Sequence, residues 1–189
     1  MTIVVDVDNV LNNLTEKALY VYNKRNGKNI QLTDITAYNF HDCLPKEDAD
    51  AIVDLFQEKE LWDSLSPLAG AQKGLKRLVE CGHDIYLATA THPNNFVWKV
   101  EWLKKYFPFI NQAHIIRIVH KGMLKCDVMV DDSLGNLIDS SCHRIAIDYP
   151  WNQDKRKAYV YDIHKAKNLS EVVDIVNNIE RKENEEWNM

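Results

Sequence analysis

Short apolar runs along this chain alternate with longer segments in which apolar residues recur every three or four positions. The short runs are typical of strands buried on both faces, and the longer segments are typical of amphipathic helices. The runs predict strands at Ile3–Val7, His83–Thr89, His114–Val119, Cys126–Val130, Arg144–Asp148 and, briefly, Tyr159–Tyr161.

Helical spacing predicts helices at Thr15–Arg25, Lys46–Glu60, Ala69–Cys81, Asn94–Tyr106 and Ser170–Ile179. Strands that alternate with helices in this way predict an α/β fold, a three-layer Rossmann-like parallel sheet with helices on both faces. In such a sheet ligands bind at the carboxyl ends of the strands.

The stretch from residue 14 to residue 67 breaks this alternation because it contains no convincing strand. We interpret it as a small helical insertion after the first strand, in which Leu61–Pro67 forms a turn or short helix. The chain is therefore expected to comprise a catalytic core, residues 1–13 and 68–189, and an inserted helical cap, residues 14–67.

Composition and charge narrow the classes of function. A chain of 189 residues can bury a core without covalent staples, and its net charge of −5 gives no basic footprint for a nucleic acid polymer. No apolar run approaches the roughly 20 residues that span a bilayer, and the N-terminus lacks a signal-peptide pattern, so we expect no membrane partner and a cytoplasmic location. The cysteines are scattered without a CxxC pair, which indicates reduced structural thiols: Cys43, Cys81, Cys126 and Cys142.

Polar residues whose side chains could catalyse a reaction or bind a metal lie where the predicted strands end. They are Asp6 and Asp8 after the first strand, Thr89, Lys121, and the pair Asp131 and Asp132. In a parallel sheet these groups gather at one edge, where crowded carboxylates are stable if a hard cation such as Mg²⁺ lies among them. Metal, ammonium, hydroxyl and a spare carboxylate nucleophile together favour phosphoryl transfer.

Each of these residues alone has a simpler explanation. An aspartate at a strand end usually caps a turn or helix, Thr89 could merely pack in the core, and Lys121 before Gly122 could be a solvated turn lysine. The order in which they occur, each at a strand end, favours the functional interpretation.

Four segments in this order resemble the motifs of the haloacid dehalogenase (HAD) superfamily: DVDNV, LATAT, Lys121 and VDD. The large gap between the first two is where that superfamily inserts a C1-type cap, so the resemblance implies an HAD-like core with cap 14–67. Longer stretches are similar to the 5′(3′)-deoxyribonucleotidase family: DVDNVLNNL, LWDSLSPLAGA, DIYLATATHP, VEWLKKYFP and HKGMLKCDVMVDDS.

The resemblance implies a role for each motif residue. Asp6 would attack phosphorus and form an aspartyl-phosphate, and Asp8 would protonate the leaving oxygen and then activate water. Mg²⁺ would be bound by the Asp6 side chain, the Asp8 backbone carbonyl and Asp131, with Asp132 assisting through water. The phosphate would be held by Thr89, the backbone N–H of Ala90, and Lys121, which also neutralises the nucleophile.

Two positions depart from the family pattern. The typical Thr-Ser-Pro is replaced by Thr89-Ala90-Thr91-His92-Pro93, so Ala90 lacks the serine hydroxyl and Thr91 is an alternative source of it. Asn9 stands where glycine is frequent in the family.

Substrate selectivity is expected to come from the cap. Candidate contacts are Leu14, Tyr38, Phe40 and Trp62, whose aromatic members could stack on a nucleobase, although each could instead belong to the small core of the cap. Lys99 is similar in position to a family lysine that reaches the phosphate, with a solvated helix lysine as the alternative. Asp148–Asn152 either walls the site or turns the chain through Pro150.

The sequence therefore predicts a Mg²⁺-dependent phosphoric monoester hydrolase that acts on a deoxyribonucleoside monophosphate. The same chemistry on a sugar phosphate or another small phosphomonoester is the alternative. A receiver-like phosphoacceptor domain is disfavoured, because its paired acids would end the first strand and it has no place for the insertion. The preferred base, the 5′ or 3′ position and the oligomeric state, including a homodimer, are left open.

Overall fold

The computed structural model describes residues 1–187. Its strands are β1 (Thr2–Val5), β2 (Asp84–Thr89), β3 (Ile115–Arg117), β4 (Val128–Asp131), β5 (His143–Ile147) and β6 (Ile163–Ala166). They form one parallel sheet in the order β3-β2-β1-β4-β5-β6. Since β1 lies between β2 and β4, the aspartates predicted for the site and Thr89 lie at the carboxyl ends of neighbouring strands.

The helices are α1 (Leu14–Asn26), α2 (Lys46–Leu55), α3 (Lys59–Asp63), α4 (Ala71–Glu80), α5 (Pro93–Tyr106), α6 (Leu134–Ile138), α7 (Lys155–Val160) and α8 (Leu169–Trp187). Alternate residues of β1 enter two separate apolar clusters: Ile3 and Val5 pack with residues of α4, α5 and α8, whereas Val4 packs with residues of α6 and α7. Side chains that alternate along a strand point to opposite faces, so helices cover both faces of the sheet. The predicted α/β fold with three layers is confirmed.

Helices α1, α2 and α3 occupy the long connection after β1, as the interrupted pattern predicts. Their buried residues, such as Leu19 and Ile52, belong to the same apolar cluster as Ile3 and Val5 of the sheet. The insertion therefore shares its core with the rest of the molecule. The division into a core of residues 1–13 and 68–189 and a cap of residues 14–67 stays a prediction.

The predicted helix Lys46–Glu60 is wrong near its end, where residues 56–58 interrupt it, because α2 ends at Leu55 and α3 begins at Lys59. The break leaves the carbonyl of Phe56 outside the helical ladder, where it accepts hydrogen bonds from Trp62 Nε1 and Asn95 Nδ2, both at 2.8 Å. The last carbonyls of a helix need partners of this kind. Two side chains from other elements thus satisfy the group that the break exposes.

The predicted strand Tyr159–Tyr161 is also wrong, because α7 extends to Val160 and Tyr161 is its C-cap. Asp154 caps the helix by accepting from the Lys157 N–H at 2.9 Å, and Asp162, at φ 48°, turns the chain into β6. Tyr159 is 88% exposed, whereas Ile163 and Ala166 of β6 are buried. Aromatic residues favour strands, but here the helix cap and the buried residues that follow decide the structure.

Other boundaries differ from the predictions by a few residues, and the short helix α6 has no counterpart among them. None of the helices in the part of the chain that the structure describes is both long and apolar enough to cross a membrane.

Candidate functional site

The loop after β1 is held by its asparagines. Asn12 Oδ1 accepts from the Leu14 N–H at 3.1 Å and Asn9 Oδ1 from the Thr15 N–H at 3.0 Å, so both cap the first turn of α1. Asn9 adopts φ 57°, a left-handed conformation that glycine and asparagine tolerate best. This explains how asparagine can stand at a position where the resembled family often has glycine.

Asp6 and Lys121 form a buried ion pair at the end of β1. Lys121 Nζ lies 2.5 Å from Asp6 Oδ1 and 2.6 Å from Asp131 Oδ2, and all three side chains are at most 8% exposed. Lys121 occupies a 3₁₀ turn, Lys121–Met123, after β3. A Cβ on Gly122 would lie 2.6 Å from the carbonyl oxygen of Asp139, so glycine permits the close approach that brings Lys121 inward.

Asp131 and Asp132 are fixed by amide groups. Asp131 Oδ1 accepts from the Ser133 N–H at 2.8 Å, and Asn136 Nδ2 lies 3.1 Å from both of its oxygens. Asp132 accepts from Asn9 Nδ2 at 3.1 Å, and its backbone carbonyl accepts from Asn152 Nδ2 at 2.9 Å. The acidic pair is therefore pre-oriented by side chains from three separate segments.

Burial and mutual repulsion make Asp6 and Asp132 hard to ionise without a cation. Burial is the main cause that raises the pKa of Asp6 to about 7; Lys121 opposes the rise, and Asp131 and Asp8 add to it. Burial, then the charges of Asp131 and Asp6, also raise the pKa of Asp132 well above its ordinary value. Burial alone would lower the pKa of Lys121, but Asp6 and Asp131 outweigh it and the pKa rises. The ammonium group therefore stays charged.

Oxygen atoms of Asp6, Asp131 and Asp132 lie within 4.8 Å of one another, close enough to share one metal ion. Lys121 and Lys99 pair with Asp6, Asp131 and Asp8. With Asp132, four carboxylates that were all ionised would exceed the two ammonium groups by two negative charges. A hard divalent cation with oxygen ligands fits both the donor set and this charge. The Asp8 side chain lies outside the cluster, and its predicted metal contact through the backbone carbonyl stays a prediction.

Asp8 is held by a second lysine. Lys99 Nζ on α5 donates to Asp8 Oδ2 at 2.5 Å and to Thr89 Oγ1 at 2.6 Å, and its side chain is 1% exposed. Asn12 Nδ2 donates to the other Asp8 oxygen at 3.0 Å. The two acids of the first motif thus have separate partners, so their environments differ although they are two residues apart. The alternative of a solvated lysine at Lys99 is wrong.

A cleft of about 470 Å³ opens between these strand ends and the inserted helices. Its lining includes Asp8, Asn9 and Asp132 from the strand ends, and Ala90 and Thr91 from the loop after β2. Thr89 itself is buried. The predicted phosphate-binding segment therefore contributes its second and third residues, Ala90 and Thr91, to the cleft wall.

All four predicted cap contacts line this cleft: Leu14, Tyr38, Phe40 and Trp62. Leu14, Phe40 and Trp62 are also buried in the apolar core, so these three residues both pack the core and line the cleft. Tyr38, in contrast, is 60% exposed. The centre of the Trp62 ring lies 5.1 Å from Lys99 Nζ, a cation–π contact that links the cap to the ion pair of Lys99 with Asp8.

Two cleft residues carry polar atoms without a partner among the described residues. Asn95 Oδ1 is buried and unpaired although Asn95 Nδ2 binds Phe56, and Trp151 Nε1 is likewise unpaired. Asn95 carries no signal in the sequence, because its partner Phe56 lies 39 positions away. Trp151 stacks on Tyr149, with ring centroids 4.2 Å apart, and lines the cleft. The segment Asp148–Asn152 therefore contributes this one residue to the wall, and Pro150–Asn152 also turn the chain as a 3₁₀ helix.

His92 has a structural role that its position in the loop conceals. Its Nδ1 accepts from the Asn94 N–H at 3.3 Å and caps α5, which starts with Pro93. It also lines the cleft.

Comparison with known proteins agrees with this geometry. A family model described as 5′ nucleotidase, deoxy (Pyrimidine), cytosolic type C protein matches residues 1–183. The 5′(3′)-deoxyribonucleotidase of Bacillus subtilis is 31% identical over 100 residues, which are 52% of this chain and 58% of that protein, so this match spans less than two thirds of the relative. The 5′(3′)-deoxyribonucleotidase of Clostridium acetobutylicum is 28% identical over 171 residues, 90% of this chain and 94% of that protein.

Solved structures show the same fold. A conserved haloacid dehalogenase-like protein of Agrobacterium tumefaciens superposes with a TM-score of 0.62 at 10% identity, covering 94% of this chain and 98% of its own. These matches confirm the resemblance that the sequence motifs indicate, at the level of the family and the fold.

Proposed function

Because the chain belongs to the 5′ nucleotidase, deoxy (Pyrimidine), cytosolic type C protein family, we propose that it hydrolyses deoxyribonucleoside monophosphates with the help of Mg²⁺. The observation that carries the proposal is the separation of the two acids: Asp6 pairs with Lys121, and Asp8 pairs with Lys99. Phosphoryl transfer with a covalent intermediate requires one carboxylate that attacks and another that moves protons. Because their partners differ, Asp6 and Asp8 can divide these two tasks between them.

In the proposed mechanism an Asp6 oxygen attacks phosphorus while the bond from phosphorus to the ribose oxygen breaks. Asp8, protonated at this stage, gives its proton to the leaving ribose oxygen. The resulting carboxylate of Asp8 then takes a proton from the water that attacks the aspartyl-phosphate, which releases phosphate and restores Asp6. Lys121 neutralises the nucleophile and the transferring group throughout.

Mg²⁺ fits the oxygen cluster described above and would be held by Asp6, Asp131 and the Asp8 backbone carbonyl, with Asp132 assisting through water. When bound, it supplies positive charge beside the phosphate oxygens. Thr89, the Ala90 N–H and Lys99 are proposed to orient the phosphate. Lys99 would bind it while remaining close to Asp8, its present partner.

The cap is proposed to receive the nucleobase. Support comes from the cleft wall, where Leu14, Phe40, Trp62 and the more exposed Tyr38 face the strand ends across the same cavity. Flat apolar surfaces suit a base, which can stack on an aromatic ring. The relatives named 5′(3′)-deoxyribonucleotidase agree with a deoxyribonucleotide substrate.

The test is phosphate release by the purified protein from a panel of nucleoside monophosphates and sugar phosphates, with Mg²⁺ or with EDTA. We expect turnover of dUMP or dTMP with Mg²⁺, none with EDTA, and none for Asp6→Asn. Asp54→Asn, an exposed acid on α2, is the matched control and should keep full activity. A preference for sugar phosphates would favour the alternative substrate class, and a stable phosphoprotein without turnover would contradict the enzymatic proposal.

A further inference from the structure

Two of the four cysteines, scattered in sequence, meet at the amino edge of the sheet. Cys126 precedes β4 and Cys142 precedes β5, and these strands are neighbours in a register that pairs Val128 with His143. The Cys126 thiol donates to Cys142 Sγ at a sulfur–sulfur distance of 3.1 Å. Cysteines this close on adjacent strands can be joined with little movement of the backbone.

The pair is open to small reagents. Both side chains are half-buried, and they line a surface cavity of about 330 Å³ together with Ser141 and Arg144. The hydrogen bond from Cys126 is the main cause that lowers the pKa of Cys142 to about 6; burial opposes it, and Ser140 and the charge of Arg144 assist. Cys126 shows the opposite direction, a raised pKa, chiefly because it donates that hydrogen bond. These directions favour Cys142, beside Arg144, as the thiolate that reacts first, with Cys126 as the thiol that keeps its proton.

We propose that Cys126 and Cys142 form a dithiol that a peroxide oxidises to an intramolecular disulfide. The Cys142 thiolate attacks one peroxide oxygen, the O–O bond breaks, and the other oxygen leaves as hydroxide or alkoxide, which takes a proton from water. Cys126 then attacks the sulfur of the resulting sulfenic acid, the S–S bond forms, and the hydroxyl group leaves as water with the Cys126 proton. The pair loses two electrons, and one peroxide is reduced.

The position of the bond gives it a consequence. The loop that it closes, residues 126–142, contains β4, Asp131, Asp132 and α6. The bond would tie this loop at the amino edge of the sheet, while the acids lie at the carboxyl edge. Oxidation should therefore leave the arrangement of Asp131 and Asp132 intact. The disulfide should also stabilise the segment that carries them against unfolding, because a closed loop restricts the unfolded chain.

The experiment treats the full chain with one equivalent of hydrogen peroxide, alkylates the remaining thiols and maps the peptides by mass spectrometry without reduction. We expect a Cys126–Cys142 cross-link that dithiothreitol reverses, with Cys43 and Cys81 alkylated. The oxidised protein should melt roughly 5–10 °C higher than the reduced protein. Its rate of phosphate release should be unchanged.

The variants Cys126→Ser and Cys142→Ser should each lose the cross-link and the shift in melting temperature. Cys81→Ser, which removes an exposed thiol at the end of α4, is the control and should keep both. If Cys126 and Cys142 are alkylated after the treatment, carry separate over-oxidised sulfurs, or cross-link between molecules, the proposal is wrong. If the cross-link forms but the melting temperature does not rise, the stabilising role is wrong.

Discussion

The two walls of the cleft are built on different principles. On the strand side, four carboxylates and two ammonium groups are buried or half-buried, and every one of them has a partner within 3.1 Å. On the cap side, the wall is mainly apolar, and the ion pairs of the inserted helices, such as Arg25 with Glu58, are on the exposed surface. Under the proposed function, charge would perform the chemistry on one side, whereas shape and apolar area would select the substrate on the other.

This contrast predicts that equal changes of charge have unequal effects. Removing one partner of a buried pair leaves an uncompensated charge, whereas exposed pairs contribute little because water and salt screen them.

Lys121→Met should have the largest effect on both stability and activity. It leaves the buried Asp6 and Asp131 without their shared cation, which should cost roughly 3–5 kcal/mol of unfolding free energy. Phosphate release should be abolished, and urea unfolding measures the stability. Lys125→Met, an exposed lysine four residues away, should change neither property. Equal effects of the two substitutions would show that the buried position of Lys121 makes no difference.

Lys99→Met should lower the unfolding free energy less than Lys121→Met, by about 2 kcal/mol, because Asp8 keeps Asn12 and is 19% exposed. The catalytic rate should fall about 100-fold, because Asp8, the carboxylate proposed to transfer protons, loses its orientation. Steady-state kinetics and urea unfolding are the measurements. Lys104→Met on the same helix is the matched control, and a wild-type rate in Lys99→Met would contradict the proposed role.

Phe40→Leu should affect substrate binding rather than chemistry. Loss of an aromatic face from the cap wall should raise KM for a nucleotide several-fold, in keeping with a stacking contribution of about 1 kcal/mol. The catalytic rate should change little, as should KM for a small phosphomonoester without a base. Tyr20→Leu, an exposed tyrosine outside the cleft, is the control. An equal increase in KM for both substrates would show that Phe40 only supports the cap.

Glu58→Gln should have the smallest effect, since it breaks the exposed pair with Arg25. The hydrogen bond from Arg25 lowers the pKa of Glu58 below its ordinary value of 4.5. Its stabilising contribution is therefore fully present above pH 4.5 and is lost as the pH falls through the lowered pKa in the folded state. The melting temperatures of the variant and the wild type should differ slightly at pH 7, and the difference should shrink as the pH is lowered through the pKa of Glu58 in the folded state. A large difference at neutral pH would mean that the cap also depends on charge.

The strand side could be predicted from sequence because its residues follow a periodic pattern. Asp6, Thr89 and Asp131 each end an apolar run, and parallel topology brings such ends to one edge whatever the details of packing. The pairing of Lys99 with Asp8, 91 positions away, could not be predicted in the same way, because it depends on how α5 is rotated and packed against the sheet.

The cap side was harder to predict because packing overrides local preference there. The helix from Lys46 breaks at Phe56, whose carbonyl accepts hydrogen bonds from Trp62 and Asn95, and no nearby residue in the sequence indicates that second partner.

The contact of Cys126 with Cys142 at the edge of the sheet depends on strand register, which spacing along the chain does not reveal.

The most direct test of the account is to trap the covalent intermediate during turnover. Protein that is mixed with Mg²⁺ and dUMP or dTMP is quenched in acid and reduced with borohydride, which converts an aspartyl-phosphate to homoserine. Peptide mass spectrometry then locates the converted residue. The account predicts homoserine at position 6, dependent on substrate and absent in Asp6→Asn. Turnover with an unmodified Asp6, or conversion at Asp8, Asp131 or Asp132, would contradict it.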